Sequence, residues 1–447
     1  MQTKDLTRGS IVGNILVFSL PYMLAYFLQI LYGLADLFVI GQYGSVHDST
    51  AVSNGGQIMY MVTVLVIGLA MGSTVGIAHA VGAGDKERVG RTIGNTFTLF
   101  LALSLVLTGV LLLLRNDIIG WVATPAEAVE GTLHYLVICF LGVPFIAMYN
   151  VIASVLRGMG DSRTPMYLVA VACVVNIVLD YVFIGALSMG PAGAALGTTL
   201  SQAFSVVVAA VAIYRHRASL YLSRESFRLK RRVVNGILHV GLPVCLQDGF
   251  IQVSFIIIMV IANLRGLTDA AAVGIVEKLI GLLFIVPSSM LSTVSAVSAQ
   301  CIGAGKPGRA CATMRYAIFI TAGIGFFAAL LCQFVPRFAV SVFTDNEAVV
   351  RSGANYLRSY SWDCVLAGIH FCFSGFFTAC NRSLVTFAHN VLSTVCVRVP
   401  LCYALSAAYA TTLYPMGFAS PAGSLLSIII CVGVYIWLSR KGRFAEA

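Results

Sequence analysis

Long stretches of apolar residues, separated by short polar segments, run through the whole chain. Twelve of them are long enough to cross a membrane as helices, because about 20 residues span a hydrocarbon core of about 30 Å. The predicted spans are 11–41, 51–78, 92–114, 131–156, 165–185, 192–214, 236–262, 271–298, 312–334, 352–379, 385–408 and 415–438. The pattern therefore predicts an all-α polytopic membrane protein with twelve transmembrane helices.

The first predicted helix is longer than a bilayer requires. At about 1.5 Å per residue it would reach about 46 Å, so it must tilt, bend or protrude from a core of about 30 Å. Pro21 removes a backbone hydrogen bond and gives the helix a point of bending. The helix also carries Gln29 and Asp36, and an ionised carboxylate within a membrane costs at least about 2.5–3.5 kcal/mol. We therefore expect this helix to move during the protein's function, with Pro21 as its hinge.

Composition supports a membrane protein. The chain has 447 residues, of which 59% are hydrophobic and 10% charged, whereas a soluble protein carries about 25% charged residues. The polar N-terminus leads straight into the long first segment without a cleavage site, which indicates a retained span rather than a signal peptide. The twelve cysteines lie in or beside apolar segments without a CxxC pair, so we interpret them as small hydrophobic residues without disulfide or metal roles.

Basic residues are concentrated on one predicted side of the membrane. If both termini and the loops after even-numbered helices share a side, that side carries 21 of the 28 lysines and arginines, and the opposite side carries 4. Positive residues mark cytoplasmic loops. We therefore predict a multi-pass protein of the cell membrane with both termini and the basic loop 215–235 in the cytoplasm. This distribution also explains the net charge of +10 without a nucleic-acid partner.

The chain contains an internal duplication, in which short segments recur at a nearly constant spacing. The matching pairs are TPAEAV at 124–129 with TDNEAV at 344–349, GAG at 82–84 with GAG at 303–305, Ala51-Val52 with Ala272-Val273, and Pro21 with Pro243. Each T-x-x-E is also the pattern of a helix capping box. We predict an N-terminal lobe at 1–214, a linker at 215–235 and a C-terminal lobe at 236–447. Because six helices return the chain to its starting side, the lobes should share one orientation around a central cavity.

Polar residues inside the predicted spans indicate an ion site in the first lobe. Asp36, Asp180 and Thr198 all lie roughly 8 Å below the outer membrane boundary. Asn176 precedes Asp180 by one turn, and Ala194 precedes Thr198 by one turn, so each pair shares a helix face. Two carboxylates, an amide and a hydroxyl at one depth suit a hard monovalent cation or a shared proton. The alternative is that each acid reaches the headgroups or is satisfied singly by backbone groups.

The second lobe has different chemistry at the same depth. Arg398 lies near the position that matches Asn176, and no acid matches Asp180. Glu277 and Asp363 are further acids within predicted spans, and either is an ion ligand or the partner of a nearby base. Asp248, one turn after Pro243, either lines the cavity or bonds to a neighbouring helix.

Several catalytic and nucleotide-binding motifs are missing from the sequence. The glycine-rich GAGDKERVG at 82–90 does not match GxxxxGK[ST], so it gives no cradle for ATP. No HExxH motif or nucleophile elbow occurs either. An enzyme therefore has little support, and we expect a protein without enzymatic activity.

Several segments together resemble the multidrug and toxic compound extrusion (MATE) transporters over essentially the whole chain. They are SLPYMLAYFLQILYGLADLFVIG in the first helix, GAGDKERVG after the second, LRGMGDSRTPM at 156–166 after the fourth, and NIVLDYVFI at 176–184 in the fifth. The resemblance implies two six-helix lobes around a central cavity. It also implies export of amphipathic, mostly cationic drugs or toxic metabolites in exchange for H⁺ or Na⁺, by alternating access.

The resemblance assigns roles to particular residues. Asp36, Asn176, Asp180 and Thr198 match the cation site of the branch that keeps its acids in the first lobe, and Ala194 matches a carbonyl contributor. Gln29, and with it Asn150, is expected to line the substrate cavity. Glu277 and Asp363 do not clearly match the acids that other branches use. We expect a monomer that uses no cofactor and no metal beyond Na⁺. The alternative is a lipid-linked oligosaccharide flippase of the same superfamily.

Overall fold

The computed structural model describes residues 5–122, 124–215 and 220–440. The first half of the chain forms α1 (Ile11–Tyr43), α2 (Val46–Gly82), α3 (Lys86–Leu113), α4 (Arg115–Trp121), α5 (Val129–Gly158), α6 (Arg163–Asp180) and α7 (Gly190–Arg215). The second half forms α8 (Arg231–Asn263), α9 (Leu267–Leu283), α10 (Ile285–Gly303), α11 (Pro307–Phe334), α12 (Pro336–Ser341), α13 (Glu347–Tyr360), α14 (Asp363–Ala379), α15 (Ser383–Ser393), α16 (Val399–Ala408) and α17 (Ala419–Arg440). Within these described ranges the fold is helical, and it contains no strand.

The helices confirm the predicted all-α membrane fold. Among the described residues, 11 helical segments are long and apolar enough to cross a membrane, or 12 if α13 and α14 form one bent span. These two helices meet at an angle of 42°. The tenth predicted span, 352–379, is therefore broken between Tyr360 and Asp363 rather than straight.

The chain divides into two compact units. The first unit contains Leu20–Cys245, and the second contains Leu6–Ser19 together with the chain from Leu246 onward. In the first unit, Val52, Tyr135 and Ala194 belong to one hydrophobic core. In the second unit, Val273, Tyr356 and Met416 belong to another. Val273, Tyr356 and Met416 occupy the same places in the second repeat as Val52, Tyr135 and Ala194 occupy in the first. The duplicated sequence therefore builds matching hydrophobic cores.

The division between the units falls inside two long helices that contain proline. Helix α1 belongs to the second unit up to Ser19 and to the first unit after it, and this boundary lies close to Pro21. Helix α8 belongs to the first unit up to Cys245 and to the second unit after it, and this boundary lies close to Pro243. The lobe boundaries expected at 214 and 236 differ from this division, because each long helix contributes to both units. Proline lacks the N–H that would bond one turn back, so each change of unit lies beside a missing hydrogen bond.

The beginning of α1 is held within the second unit by polar contacts. The Leu6 amide donates to the Gln300 side-chain oxygen over 3.3 Å, and Lys306 Nζ donates to the Thr7 carbonyl over 3.2 Å. The Asn14 amide group donates to the Leu6 carbonyl over 3.0 Å. These bonds fasten the residues before Pro21 to α10 and to the turn that follows it.

The predicted linker 215–235 is partly ordered against the first unit, and its residues 216–219 lie outside the described residues. Asn95 on α3 donates to the carbonyl of Ser226 over 3.0 Å and accepts from the Lys230 amide over 2.7 Å. A Cβ at Gly94 would collide with the Ser226 carbonyl, so glycine permits this close approach. The described part of the linker is therefore anchored to α3.

The two predicted capping boxes are wrong. The Thr124 hydroxyl is buried without a hydrogen-bond partner, and the 3₁₀ turn Ala126–Ala128 begins after Pro125. In the second unit Asn346 caps α13 by accepting from the amides of Ala348 and Val349. Thr344 instead accepts from the Asn346 amide. In the second unit the cap falls on Asn346 because asparagine is itself a strong N-cap, and in the first unit the turn starts after Pro125 without a side-chain cap.

Candidate functional site

Four polar side chains meet in the first unit. The Thr198 hydroxyl donates to Asp36 Oδ2 over 3.1 Å, and Asn176 Nδ2 donates to Asp180 Oδ1 over 3.4 Å. The carboxyl groups of Asp36 and Asp180 interact directly, and Asp36 also interacts with Asn176. The structure thus brings together the acids, the amide and the hydroxyl that lie far apart in the sequence.

Three of these four side chains are almost completely removed from solvent, and Thr198 is half-buried. Asp36 is 4% exposed, and Asn176 and Asp180 are 0% exposed. One oxygen on each of these three side chains, Asp36 Oδ1, Asn176 Oδ1 and Asp180 Oδ2, has no hydrogen-bond partner. Buried acceptors without donors are costly. A set of unpaired carboxylate and amide oxygens is the chemistry that binds a proton or a hard cation.

Three helices position the cluster, and one of them is irregular beside it. Helix α1 supplies Asp36, and α7 supplies Thr198. Helix α6 supplies Asn176 and ends at Asp180, after which the chain continues as a π-helical segment, Tyr181–Ala186. π-Helical segments within α-helices occur frequently at functional sites. The added width at this point changes the direction in which the following side chains leave the helix.

Two residues that sequence reasoning missed support Thr198. The Tyr32 hydroxyl donates to the Thr198 carbonyl over 3.1 Å and lies 3.1 Å from Ser201 Oγ. Ser201 Oγ donates to the same carbonyl over 2.9 Å. Tyr32 lies one turn before Asp36 on α1, and this i, i+4 spacing is the signal that would have found it.

A glycine makes room for Asp180. A Cβ at Gly197 would collide with Asp180 Oδ1 and would lie 3.5 Å from Asn176 Nδ2. Any larger residue at this position would push the carboxylate away from its partners. Gly197 was also missed in the sequence, where its place directly before Thr198 is the only indication.

Three of the remaining predicted residues of the first lobe, Ala194, Pro21 and Gln29, lie on helices that carry this cluster, and Asn150 lies on another helix. Ala194 is fully buried one turn before Thr198, and Pro21 lies inside the continuous helix α1. Gln29 is half-buried on the same helix. Asn150 is buried on α5, where its amide donates to the Ile146 carbonyl over 2.8 Å.

Two acids of the second unit, Glu277 and Asp363, lie around a single arginine. The Arg398 guanidinium interacts electrostatically with both Glu277 and Asp363, and no direct ion pair joins it to either acid among the described residues. The base that interacts with both acids is therefore Arg398, rather than Lys278, Arg358 or His370, which lie nearer to them in the sequence. Asp248 is half-buried on α8 and belongs to neither cluster.

Comparison with known proteins agrees with the duplicated helical architecture. A family model described as MatE matches residues 21–182 and again residues 243–404, two stretches of equal length that cover most of the chain. A crystal structure titled "Crystal structure of MATE in complex with MaL6" superimposes with a TM-score of 0.91 at 22% identity, covering 100% of both chains. These matches define the class, a polytopic helical membrane transporter built from two repeats.

Curated relatives extend the match over the full length. The chain is 25% identical to "Probable multidrug resistance protein YoeA" of Bacillus subtilis over 99% of this chain and 97% of that protein. It is 22% identical to "Multidrug export protein MepA" of Staphylococcus aureus over 88% of this chain and 87% of that protein. The chain belongs to the MatE family of membrane transporters. The predicted family is confirmed, and the flippase alternative is not favoured.

Proposed function

We propose that the protein is a secondary active multidrug exporter that couples efflux of amphipathic, mostly cationic molecules to entry of H⁺ or Na⁺. The observation that carries this proposal is the buried contact between the carboxyl groups of Asp36 and Asp180, with an oxygen of each left unpaired. Its relatives are named as multidrug resistance and multidrug export proteins, which supports drugs or toxic metabolites as substrates. No cofactor is required beyond the coupling ion.

The physical basis of coupling is the charge of this pair. Two carboxylates that touch in a buried site repel each other when both are ionised. A proton shared between them, or a Na⁺ bound by their free oxygens, removes that repulsion. Asn176, Thr198 and the Ala194 carbonyl would complete the oxygen ligands. Both ions fit the donor set, so the site is built to switch between an empty, charged form and a filled, neutralised form.

The coupling mechanism follows from where these acids lie. Asp36, Pro21 and Gln29 all lie on α1. At Pro21 the helix lacks one backbone hydrogen bond. When an external cation neutralises the pair, α1 shifts or bends near Pro21, and the substrate loses contacts with the cavity residues Gln29 and Asn150. Return of the site to the cytoplasmic side releases the cation. We propose that the protein works as a monomer in the cell membrane, with both termini in the cytoplasm.

Dye efflux in everted membrane vesicles tests this function. A fluorescent organic cation is followed while a pH gradient and a Na⁺ gradient are imposed separately. We expect one gradient to drive transport, and Asp36→Asn and Asp180→Asn each to abolish it at normal expression. Asp117→Asn, which changes an exposed acid, is the matched control and should transport normally. Normal transport by both Asp36→Asn and Asp180→Asn would overturn the proposed site.

A further inference from the structure

The second unit has a buried polar cluster at the place in the repeat that corresponds to the acids of the first. When the two matched stretches, 21–182 and 243–404, are aligned end to end, Arg398 corresponds to Asn176, and Cys402 corresponds to Asp180. A guanidinium group therefore takes the place of the oxygen ligands that the first unit assembles for a cation.

Arg398 makes several contacts within the second unit. Its Nη2 atom donates to the Tyr360 hydroxyl over 2.8 Å, and its guanidinium carbon lies 4.8 Å from the centre of the Phe255 ring. The charge interacts with the carboxylates of Asp363 and Glu277. A hydroxyl, an aromatic face and two acids are the groups that surround a bound monovalent cation.

Two helical irregularities meet at this cluster. The bent span α13–α14 is broken between Tyr360 and Asp363, and Arg398 ends a π-helical segment, Thr394–Arg398. In membrane transporters, discontinuous helices are where coupling ions bind, because broken helices present free backbone groups and helix ends. The geometry of the backbone here is thus that of an ion site.

The cluster is also incompletely paired. Asp363 is 2% exposed, and its Oδ1 atom has no hydrogen-bond partner. Arg398 Nε is likewise buried without a partner. A buried carboxyl group is stabilised either by a proton or by a compensating charge, and arginine stays protonated under all ordinary conditions. Arg398 therefore supplies a positive charge that is covalently attached to the chain. A purely structural salt bridge would show a short ion pair with its hydrogen-bonding groups paired, and Arg398 makes no such pair with Asp363 or Glu277.

We propose that the Arg398 guanidinium is a tethered substitute for a free monovalent cation, so that the second unit is a cation site permanently filled by its own side chain. Removal of that side chain should therefore create a site for a small free cation, formed by Asp363, Glu277 and Tyr360. This inference goes beyond the proposed function, because it concerns what occupies the second unit and does not depend on efflux.

Chemical rescue of the purified protein tests the proposal. Thermal unfolding of wild type, Arg398→Ala, Arg398→Met and Arg398→Ala/Asp363→Asn is measured in detergent with millimolar guanidinium, Na⁺, K⁺ or choline at matched ionic strength. We expect Arg398→Ala to unfold at a lower temperature than wild type, and guanidinium or an alkali ion to restore several degrees that choline does not. Wild type should not respond. The Asp363→Asn change should remove the response, because it removes a ligand.

Two outcomes would overturn the proposal. One is an Arg398→Ala protein that no small cation stabilises more than choline does. The other is an Arg398→Met protein as stable as wild type, which would show that the side chain only fills space. If Arg398→Ala cannot be purified, Arg398→Lys and Arg398→Gln replace it. Arg398→Lys should then retain most of the wild-type stability and Arg398→Gln should lose it, whereas equal losses would contradict a role for the charge. None of these results bears on the proposal that Asp36 and Asp180 in the first unit couple efflux to cation entry.

Discussion

The carboxyl groups of Asp36 and Asp180 interact directly, although Asp36 lies on the first helix and Asp180 at the end of the sixth. Four helices separate them in the chain. Thr198 from α7 holds Asp36 through a 3.1 Å hydrogen bond, and Asn176 holds Asp180 from one turn away. This pair of acids, each held by its own hydrogen-bond partner, is the site that we propose for the coupling cation.

The first prediction concerns the glycine that admits Asp180. Gly197→Ala introduces a Cβ that collides with Asp180 Oδ1. Overpacking costs about 1–3 kcal/mol, and where that cost falls on the cation-bound arrangement of Asp180 the cation affinity drops by about 5–150-fold. We expect efflux to need a correspondingly higher concentration of the coupling ion. Gly109→Ala on α3, where a Cβ meets nothing within 4 Å, is the control and should behave as wild type.

The second prediction separates Na⁺ from H⁺ at Thr198. Thr198→Val keeps the shape of the side chain but removes the donor to Asp36, whereas Thr198→Ser keeps the donor. A hydrogen bond to a charged group contributes about 1.5–3 kcal/mol, so Thr198→Val should change the ion dependence by about tenfold or more. If the ion is Na⁺, loss of a ligand oxygen raises the Na⁺ concentration that efflux requires. If it is H⁺, the unsupported carboxylate favours its protonated form, and efflux persists to higher pH.

Efflux assays across Na⁺ concentration and across pH, with Thr198→Ser beside Thr198→Val, distinguish these cases. Thr198→Ser should remain close to wild type in both series. An ion dependence that is the same in Thr198→Val and wild type would mean that the hydroxyl does not support the site.

The third prediction concerns the two prolines. Pro21→Ala restores an N–H that can bond to the carbonyl of Val17, one turn earlier, and so straightens and stiffens α1. We expect slower efflux with unchanged or higher thermal stability. Pro243→Ala on α8 is the matched variant in the other repeat, and it leaves the helix that carries Asp36 intact. An efflux rate of Pro21→Ala equal to that of wild type would show that bending at Pro21 has no role in transport.

The fourth prediction concerns orientation. Asp85→Cys lies in the turn between α2 and α3, on the predicted cytoplasmic side, and Asp117→Cys lies on the short helix α4, on the opposite side. Both positions are exposed. A membrane-impermeant maleimide should label Asp117→Cys in intact cells and Asp85→Cys only in everted vesicles. The unaltered protein, whose native cysteines lie in or beside apolar segments, is the blank. The reverse pattern of labelling would place the termini outside.

The large features of this fold could be predicted from the lengths of the hydrophobic segments and from the internal duplication. Helices long enough to span a bilayer, together with segments that recur at a nearly constant spacing, leave few alternatives for the architecture. The break between Tyr360 and Asp363 could not be predicted in this way. No proline or glycine marks it, and the polar residues around it, from Arg358 to Asp363, do not by themselves distinguish a bend from a helix with a polar face.

The candidate site was predictable only for residues that are conspicuous in a membrane. Asp36, Asn176, Asp180 and Thr198 stand out because polar groups in an apolar span require partners. Tyr32, Ser201 and Gly197 do not stand out, because each resembles an ordinary residue of a packed helix. Their roles depend on which faces of α1, α6 and α7 meet, and that arrangement is a property of the folded unit.

The most direct measurement is the release of the coupling cation when substrate binds to the purified protein. A fluorescent organic cation is added in lightly buffered detergent solution while released H⁺ is recorded with a pH dye, or while bound ²²Na⁺ is counted. We predict that substrate displaces a cation from wild type and from Asp117→Asn, but not from Asp36→Asn or Asp180→Asn that still bind the substrate. Undiminished release from both variants would contradict the assignment of coupling to the Asp36–Asp180 pair.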